Sequence, residues 1–334
     1  MRALIVLAAL GVAAVLVGRD VRSQLYEPLP IQQTVTVEFE KGDSLTHALK
    51  SWQAAGYLES ERQRWYLQAY ARITGQAHSL KAGEYQFAPG MRAVDLTALL
   101  VSGKVMLHEL TLIEGWRFDE ALQAVLAEPA IKKTLTDKTP AAVMAALHHP
   151  DVPPEGRLFP DTYRFPKGTT DVAFLQRAYE LMDEMVDAEW KVRAEGLPIE
   201  SPAQALALAS IVEKETAVEA ERPQVAGVFL RRLKRGMLLQ TDPTVIYGLG
   251  AAFDGNLRRR DLEHDTPYNT YTRRGLPPTP ICLPGRASLH AALHPVEGDT
   301  LYFVSRGDGT HFFSATLAEH TAAVRKYQLK HGPK

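Results

Sequence analysis

Apolar positions along the chain change their spacing several times, and each change predicts a different element. Ala3 to Gly18 is an unbroken run of apolar and small residues between Arg2 and Arg19. Residues 20–33 lose all periodicity and carry Pro28 and Pro30, which predicts a linker. From Thr34 to Phe39 apolar and polar residues alternate, the period of a half-buried strand. A turn at Glu40–Asp43 follows, and Ser44 is placed to cap a helix over 45–55. The phrase then returns as strand-like Leu110–Ile113, a turn at Glu114-Gly115 and a helix from Asp119. Gly42 precedes Ala48-Leu49 by the same six and seven positions that separate Gly115 from Ala121-Leu122. A weaker copy runs from Gly83 to Phe87 through Gly90 to Leu96–Leu100. The pattern predicts a strand–turn–helix unit repeated across 34–128, with chance as the alternative, since glycine turns often precede helices.

Residues 134–156 are polar and Pro-rich near Pro150–Pro154, which predicts a boundary loop. Val172, Leu175, Ala178, Tyr179, Met182 and Met185 predict a helix over 171–195, stopped by Gly196 and Pro198. Ser201 and Pro202 stand in cap and first-turn positions of the next helix. The many Pro and Gly residues from Asp242 to Pro284 predict a long loop region, and loops of that length are usually functional. A short helix is predicted over 288–293, a hairpin of 301–304 and 311–313 about Gly307-Asp308-Gly309, and a closing helix over 318–329.

Composition adds constraints. The 334 residues are 46% hydrophobic and 23% charged with a net charge of -1, ordinary for a globular protein and without the basicity that nucleic acid demands. Cys282 is the single cysteine, so no internal disulfide exists and the compartment stays open. The apolar run spans roughly 24 Å as a helix, short of the roughly 30 Å hydrocarbon core unless flanking arginines snorkel. Gly18–Arg22 offers no good small-x-small cleavage site, which favours an uncleaved signal anchor over a signal peptide. Arg2 on one side and Arg19 with Arg22 on the other barely decide its orientation.

The helix from Ser201 is apolar nearly all round and is expected to be buried. It ends in two carboxylates, Glu213 and Glu215, which stand about 200° apart around the axis. Glu215 shares its stripe with Leu208, Ile211 and Val212, where apolar neighbours would raise its pKa and keep a proton available near neutrality. The alternative is a solvated Glu215 in a fraying last turn, or one paired with Arg222. His290 and His294 have zinc-like spacing, but Ala-Ala-Leu between them lacks a glutamate and Pro295 follows, so no metal is expected. The clusters Arg231–Arg235 and Arg258–Arg260 read as solvated faces, or as attraction for anionic stem peptides or lipid head groups. Lys214 has no phosphate-cradling loop to support a pyridoxal-phosphate reading.

Ala209-Ser210-Ile211-Val212-Glu213-Lys214-Glu215-Thr216 resembles the signature of the YceG-like endolytic murein transglycosylases. So do the stretches Leu239–Gly248, Pro267–Tyr271 with Gly275–Pro278, Phe159–Tyr163, Leu301–Val304, and the region of His311 and His320. Order and spacing agree over essentially the whole chain. Thr279-Pro280-Ile281-Cys282 departs from the pattern, which has Gly after the paired prolines, so the loop conformation there is open.

The resemblance implies an α+β protein with an N-terminal transmembrane helix, a small LysM-like α/β subdomain and a larger mixed α+β catalytic domain. The corresponding boundaries are 1–23 for anchor and juxtamembrane, 24–33 for a linker, 34–105 for the subdomain and 106–330 for the catalytic domain. It also implies a single-pass inner-membrane location with the catalytic part in the periplasm, and peptidoglycan glycan strands as substrate. The MurNAc–GlcNAc bond is cut within a strand to leave 1,6-anhydroMurNAc, with Glu215 in the position of the family's catalytic residue. One carboxyl suffices where the sugar's own C6 hydroxyl is the nucleophile: Glu215 protonates the leaving oxygen and its carboxylate accepts the C6 proton. No metal or organic cofactor is expected. Gln240, Thr241, Asp242, Asn269 and Tyr271 are expected to hold the acetamido and lactyl-peptide groups, or else to stabilise turns. The resemblance further suggests work beside peptidoglycan synthases that sets strand length. A non-catalytic glycan-binding scaffold of the wall-synthesis machinery is the alternative function.

Overall fold

The computed structural model describes residues 1–328, so Leu329 of the predicted closing helix lies outside the described residues. The chain folds as two compact units, 1–109 with 164–169, and 110–163 with the residues from Thr170 onward. Both combine helices with short strands, an α+β architecture.

The first unit opens with α1 (Arg2–Tyr26), which continues well past the apolar run. Its most apolar 18-residue window has a mean hydropathy of 2.2 and is wholly unburied, so it is long and apolar enough to cross a membrane. The stretch 20–33 is not the linker its prolines suggested. Asp20 accepts hydrogen bonds from Arg62 at 3.2 Å and from the Tyr66 hydroxyl at 2.9 Å. Leu25, Leu29 and Ile31 are buried in the unit's core, too sparsely spaced to register as a periodic pattern.

Next come β1 (Val35–Phe39), α2 (Leu45–Ala54), α3 (Glu61–Ile73), β2 (Gly83–Phe87) and α4 (Ala93–Ser102). β1 and β2 pair antiparallel, with Val35 opposite Phe87 and Phe39 opposite Gly83. The alternation in β1 turns Val37 and Phe39 inward, into a core with Leu49, Trp52, Leu67 and Leu96. Trp52 meets Phe87 edge-on at 5.0 Å, the arrangement that ring quadrupoles favour. Ser44 caps α2 as expected, accepting the His47 N–H at 3.2 Å.

The repeated phrase exists as shape: β1 leads into α2, β2 into α4, and β3 (Leu107–Thr111) into α5 (Phe118–Ala127). Gly42 and Gly115 make their turns at φ of 96° and 80°, where a side chain would be strained. The copy that begins with β3 leaves the first unit within that strand, so the repeat does not delimit one domain.

After α5 the second unit holds α6 (Pro140–Ala146), the start of strand β4 (Thr162–Pro166), α7 (Asp171–Lys191), α8 (Pro202–Glu215) and α9 (Arg222–Lys234). It continues with α10 (Asp242–Leu249), α11 (Arg259–Glu263), α12 (Arg286–Leu293), the antiparallel hairpin of β5 (Tyr302–Ser305) and β6 (His311–Ser314), and α13 (Leu317–Tyr327). α6 lies inside the predicted boundary loop, and α10 and α11 inside the predicted long loop. Pro140 and Pro243 stand in the first turn of their helices, where no N–H is needed, so residues that look like breakers are starters.

α8 is the centre of this unit. Every residue from Ala205 to Val212 is buried, packed against Phe229, Leu239, Ile281, Leu289 and Leu293 among others. Ser201 caps it by accepting the Gln204 N–H at 3.3 Å, and its last helical residue is Glu215. Truncating Leu208 or Ile211 to Ala in such packing costs about 2–5 kcal/mol.

Candidate active site

The end of α8 separates its two carboxylates as the helical angle requires. Glu213 is held on both oxygens: Arg222 Nη2 donates at 3.1 Å and the Gly285 N–H at 2.9 Å. Gly285 is the residue before α12, so Glu213 joins three helices and faces no open space. Arg222, named as a partner that would silence Glu215, is engaged by Glu213 instead.

Glu215 opens on a cavity of about 480 Å³ that is also lined by Arg232, Gln240, Asp242, Tyr271, Tyr302 and His311. The Thr241 hydroxyl donates to Glu215 Oε1. Burial is the chief force on this carboxyl and, with the negative Asp242 beside it, raises its pKa from 4.5 to about 7 against the opposing pull of Thr241, His311 and Arg232. A carboxyl so placed carries a proton for part of the time at neutral pH and can give it up.

The loop that carries Thr241 is fixed from within. Thr270 Oγ1 accepts the Thr241 N–H at 3.0 Å, and the buried Thr244 hydroxyl donates to the Thr241 carbonyl at 2.8 Å. Gln240 takes a φ of 52°, a strained value for a residue with a side chain, and its N–H donates to the Thr270 carbonyl at 3.1 Å. Asp242 accepts the Tyr271 hydroxyl, and burial together with that bond raises the tyrosine's pKa.

The five polar residues expected to touch substrate therefore divide. Gln240, Asp242 and Tyr271 line the cavity, while Thr241 is buried and reaches Glu215. Asn269 is wholly buried; its Nδ2 donates to the carbonyls of Leu262 at 3.0 Å and His264 at 2.7 Å, and its Oδ1 accepts the Tyr271 N–H. It clamps the loop rather than facing the cavity, the turn-stabilising alternative.

Sequence reasoning missed Arg232. It belongs to a basic run expected to be solvated, yet it is buried behind the cavity, donating to the carbonyls of Leu301 and Leu239 at 2.7 Å each. Its guanidinium lies 5.2 Å from the Tyr302 ring centre. The signal was its spacing of four from Val228 and three from Phe229, both on the buried face of α9. Arg231, next to it, donates to Thr300 and Val296 and is likewise not free. Arg258, in the other run, pairs with Asp254 at 2.7 Å.

Also missed was Glu155, a buried carboxyl that accepts the Phe118 N–H at 2.9 Å and the Tyr247 hydroxyl at 3.1 Å. Burial raises its pKa to about 7, against those bonds. The departure at 279–282 has a structural account: Ile281 N–H donates to Ser210 Oγ at 3.0 Å and Cys282 Sγ to the Ser210 carbonyl at 3.3 Å, strapping this segment to α8. His290 and His294 stack at 4.2 Å, and Glu189 on α7 approaches both, Oε2 lying 2.9 Å from His290 Nδ1 and 3.7 Å from His294 Nε2. α7 thus supplies the acidic neighbour that the sequence between the histidines lacks.

The model of the YceG-like family matches residues 37–326. The endolytic murein transglycosylase of Bacillus subtilis (strain 168) is 32% identical over 311 residues, covering 88% of this chain and 85% of that protein. The protein of the same name from Streptococcus pneumoniae serotype 2 is 26% identical over 331 residues, 88% of this chain but 58% of that longer one. A crystal structure of a YceG-like protein from Listeria monocytogenes superposes with a TM-score of 0.55 at 29% identity, covering 87% of this chain and 99% of that one. With most of its length matched by the family model and a relative above 30% identity across nearly the whole of both chains, this protein belongs to the YceG-like family.

Proposed function

We propose that this chain is an endolytic peptidoglycan lytic transglycosylase with Glu215 as its acid. The observation that carries the reading is the contrast at the end of α8: Glu213 is closed off by Arg222 and Gly285, while Glu215 opens on a polar cavity with a pKa raised to about 7. The names of the relatives supply the substrate, murein. Glu215 gives its proton to the oxygen leaving MurNAc C1. The C6 hydroxyl of the same sugar attacks that carbon and closes the 1,6-anhydro ring, so no water is consumed. In the one-carboxyl scheme the carboxylate left behind receives the C6 proton. Gln240, Asp242 and Tyr271 are placed to hold acetamido and lactyl-peptide groups.

Two further parts of the reading concern the first unit. α1 acts as an uncleaved membrane anchor that leaves the rest of the chain in the periplasm; its unburied apolar face, the bond of Asp20 to Arg62 and the burial of Leu25 in the unit's core support this. The strand–helix–helix–strand arrangement of β1, α2, α3 and β2 supports a LysM-like role in holding glycan, and association with synthases would let cleavage set strand length.

The test is incubation of the full chain in detergent with purified glycan strands, followed by mass spectrometry. Fragments with new anhydro ends, lighter by one water than hydrolysis products, are expected. Hydrated ends would replace the intramolecular nucleophile with water, and binding without new ends would leave a glycan-binding scaffold.

A further inference from the structure

The cavity beside Glu215 contains a second group with the makings of a catalyst. His311 begins β6, which is held in register by its pairing with β5, where His311 stands opposite Ser305. Its ring lines the cavity, near enough to Glu215 that its charge, when the ring is protonated, pulls that carboxyl's pKa down. Behind the ring is Glu221, which follows α8 in a short 3-10 turn and is itself nearly buried, its side chain 13% exposed. Glu221 Oε1 accepts the His311 backbone N–H at 2.9 Å, and Oε2 lies 2.7 Å from the ring's Nδ1.

The pairing fixes the chemistry of the ring. Burial alone would raise the Glu221 carboxyl, but the backbone and ring N–H of His311, the charge of that ring when protonated and the Thr216 hydroxyl together outweigh it and hold its pKa below the ordinary carboxylate value. An ionised carboxylate only accepts, so a hydrogen sits on Nδ1, and whenever the ring is neutral Nε2 is its bare lone pair. Among the described residues none hydrogen-bonds Nε2. Phe303 meets the ring edge-on at 5.4 Å and restricts its rotation. This is the arrangement in which an imidazole serves as a general base: one nitrogen oriented by a carboxylate, the other free beside the reacting groups.

We propose that His311, oriented by Glu221, is the base of the reaction, its Nε2 taking the C6 proton as Glu215 delivers its own to the leaving oxygen. The inference rests on the transglycosylase reading and revises its second half. A lone pair on O6 forms the bond to C1. The C1–O bond to the next sugar breaks, and its electron pair stays on the leaving oxygen with the Glu215 proton. The O6 proton goes to Nε2. Imidazolium and carboxylate then face one cavity with opposite charges and exchange the proton directly or through water, which restores both with no net proton consumed. Dividing the work removes a demand on Glu215, which in the one-carboxyl scheme must reach the leaving oxygen and O6 in turn. Glu221 touches no substrate and is a positioning residue.

The two schemes differ in their pH profiles. If Glu215 does both jobs, the free enzyme needs only a protonated carboxyl, and kcat/KM is flat at low pH and falls as pH rises through about 7. If His311 is the base, a protonated imidazole accepts nothing, and a second limb appears on the acid side. The charged or titratable groups around the ring that shape this limb are Glu215 on α8, Glu221 after it, Arg232 on α9, Asp242 on α10, Tyr271 in the loop before α12, Tyr302 on β5 and His320 on α13.

The experiment compares the full chain with His311→Asn, His311→Ala, Glu221→Gln and Glu215→Gln on purified glycan strands, scoring anhydro ends across pH and checking each fold by thermal melting. The inference expects an acid limb in the unmodified protein that is lost in His311→Asn, with kcat down roughly 10²- to 10⁴-fold at neutral pH. It also expects partial recovery of His311→Ala by added imidazole, and an acid limb displaced in Glu221→Gln. Absence of an acid limb in the unmodified protein would overturn it, as would an unaltered pH profile in a folded His311→Asn. Glu215→Gln separates the two levels. If that variant is inactive while His311→Asn behaves normally, only the base assignment falls; if it stays active, the reading of Glu215 as the acid falls with it.

Discussion

Glu213 and Glu215 are two residues apart on one helix, yet the protein treats them in opposite ways. Glu213 has both oxygens bonded, by a guanidinium and by a backbone N–H, and its job is to join α8 to the start of α9 and α12. Glu215 has the Thr241 hydroxyl on one oxygen and a cavity in front of it, and burial outweighs the favourable neighbours of its charge. Proximity in sequence therefore says nothing about role. What decides is whether the surroundings stabilise the charged form of a carboxylate fully or leave it short, and only the second leaves a proton to transfer.

The largest expected effect breaks this contrast at its catalytic side. Glu215→Gln keeps shape and removes the transferable proton, so anhydro-end formation should fall by roughly 10²- to 10⁴-fold or more. Glycan binding and melting temperature should hold, since an amide avoids the burial of a charge; a fully active variant would remove Glu215 from the mechanism. Glu213→Gln should do the reverse. It leaves Arg222, 11% exposed, without its nearest carboxylate, though Glu114 remains 3.8 Å away. A loss of roughly 3 kcal/mol of stability is expected, with kcat close to normal below the melting transition. Normal stability with lost turnover in Glu213→Gln would show that the roles are exchanged.

How much of this could be read from the sequence follows from which forces are local. The burial of α8, its Ser201 cap and the angle between its carboxylates depend on the helix alone, and the structure agrees with each. The contact of Thr241 with Glu215 and the clamp of Glu221 on His311 join segments 26 and 90 positions apart, and no local pattern encodes them. Asn269 was overrated because a polar side chain in a turn-rich stretch serves a loop as readily as a ligand. The stretch 20–33 was underrated because three buried side chains at irregular spacing leave no period to detect.

A smaller effect compares Glu215 with the other carboxyl that burial raises to about 7, Glu155. Glu155 lies away from the Glu215 cavity, so its titration should appear in stability. Folding raises its pKa from 4.5 to about 7, so the protonated form is favoured in the native state. Its contribution is therefore complete below about pH 4.5 and is lost as pH rises through 7, at most roughly 3 kcal/mol. Glu155→Gln stays neutral throughout. Relative to the unmodified protein it should gain stability between pH 5 and pH 8, by denaturant titration at several pH values, and parallel curves would remove Glu155 as a titrating group.

The smallest effect concerns the group formed by Glu189, His290 and His294, whose ligand-type atoms lie within 4.8 Å of one another. Its neighbours give a reason to expect little from it in catalysis. Glu189 and His290 border a cavity shared with Glu114, Arg222 and Arg286, not the one that Glu215 opens on. The acid and base proposed for the reaction are both side chains. A chelator should therefore leave the rate of anhydro-end formation unchanged. His290→Ala removes a contact with Glu189 whose histidine is 56% exposed, a loss expected at or below about 1 kcal/mol. If chelation instead stopped turnover and zinc restored it in the unmodified protein but not in His290→Ala, the reaction would depend on this cluster, and the assignment of all its chemistry to the cavity at the end of α8 would be incomplete.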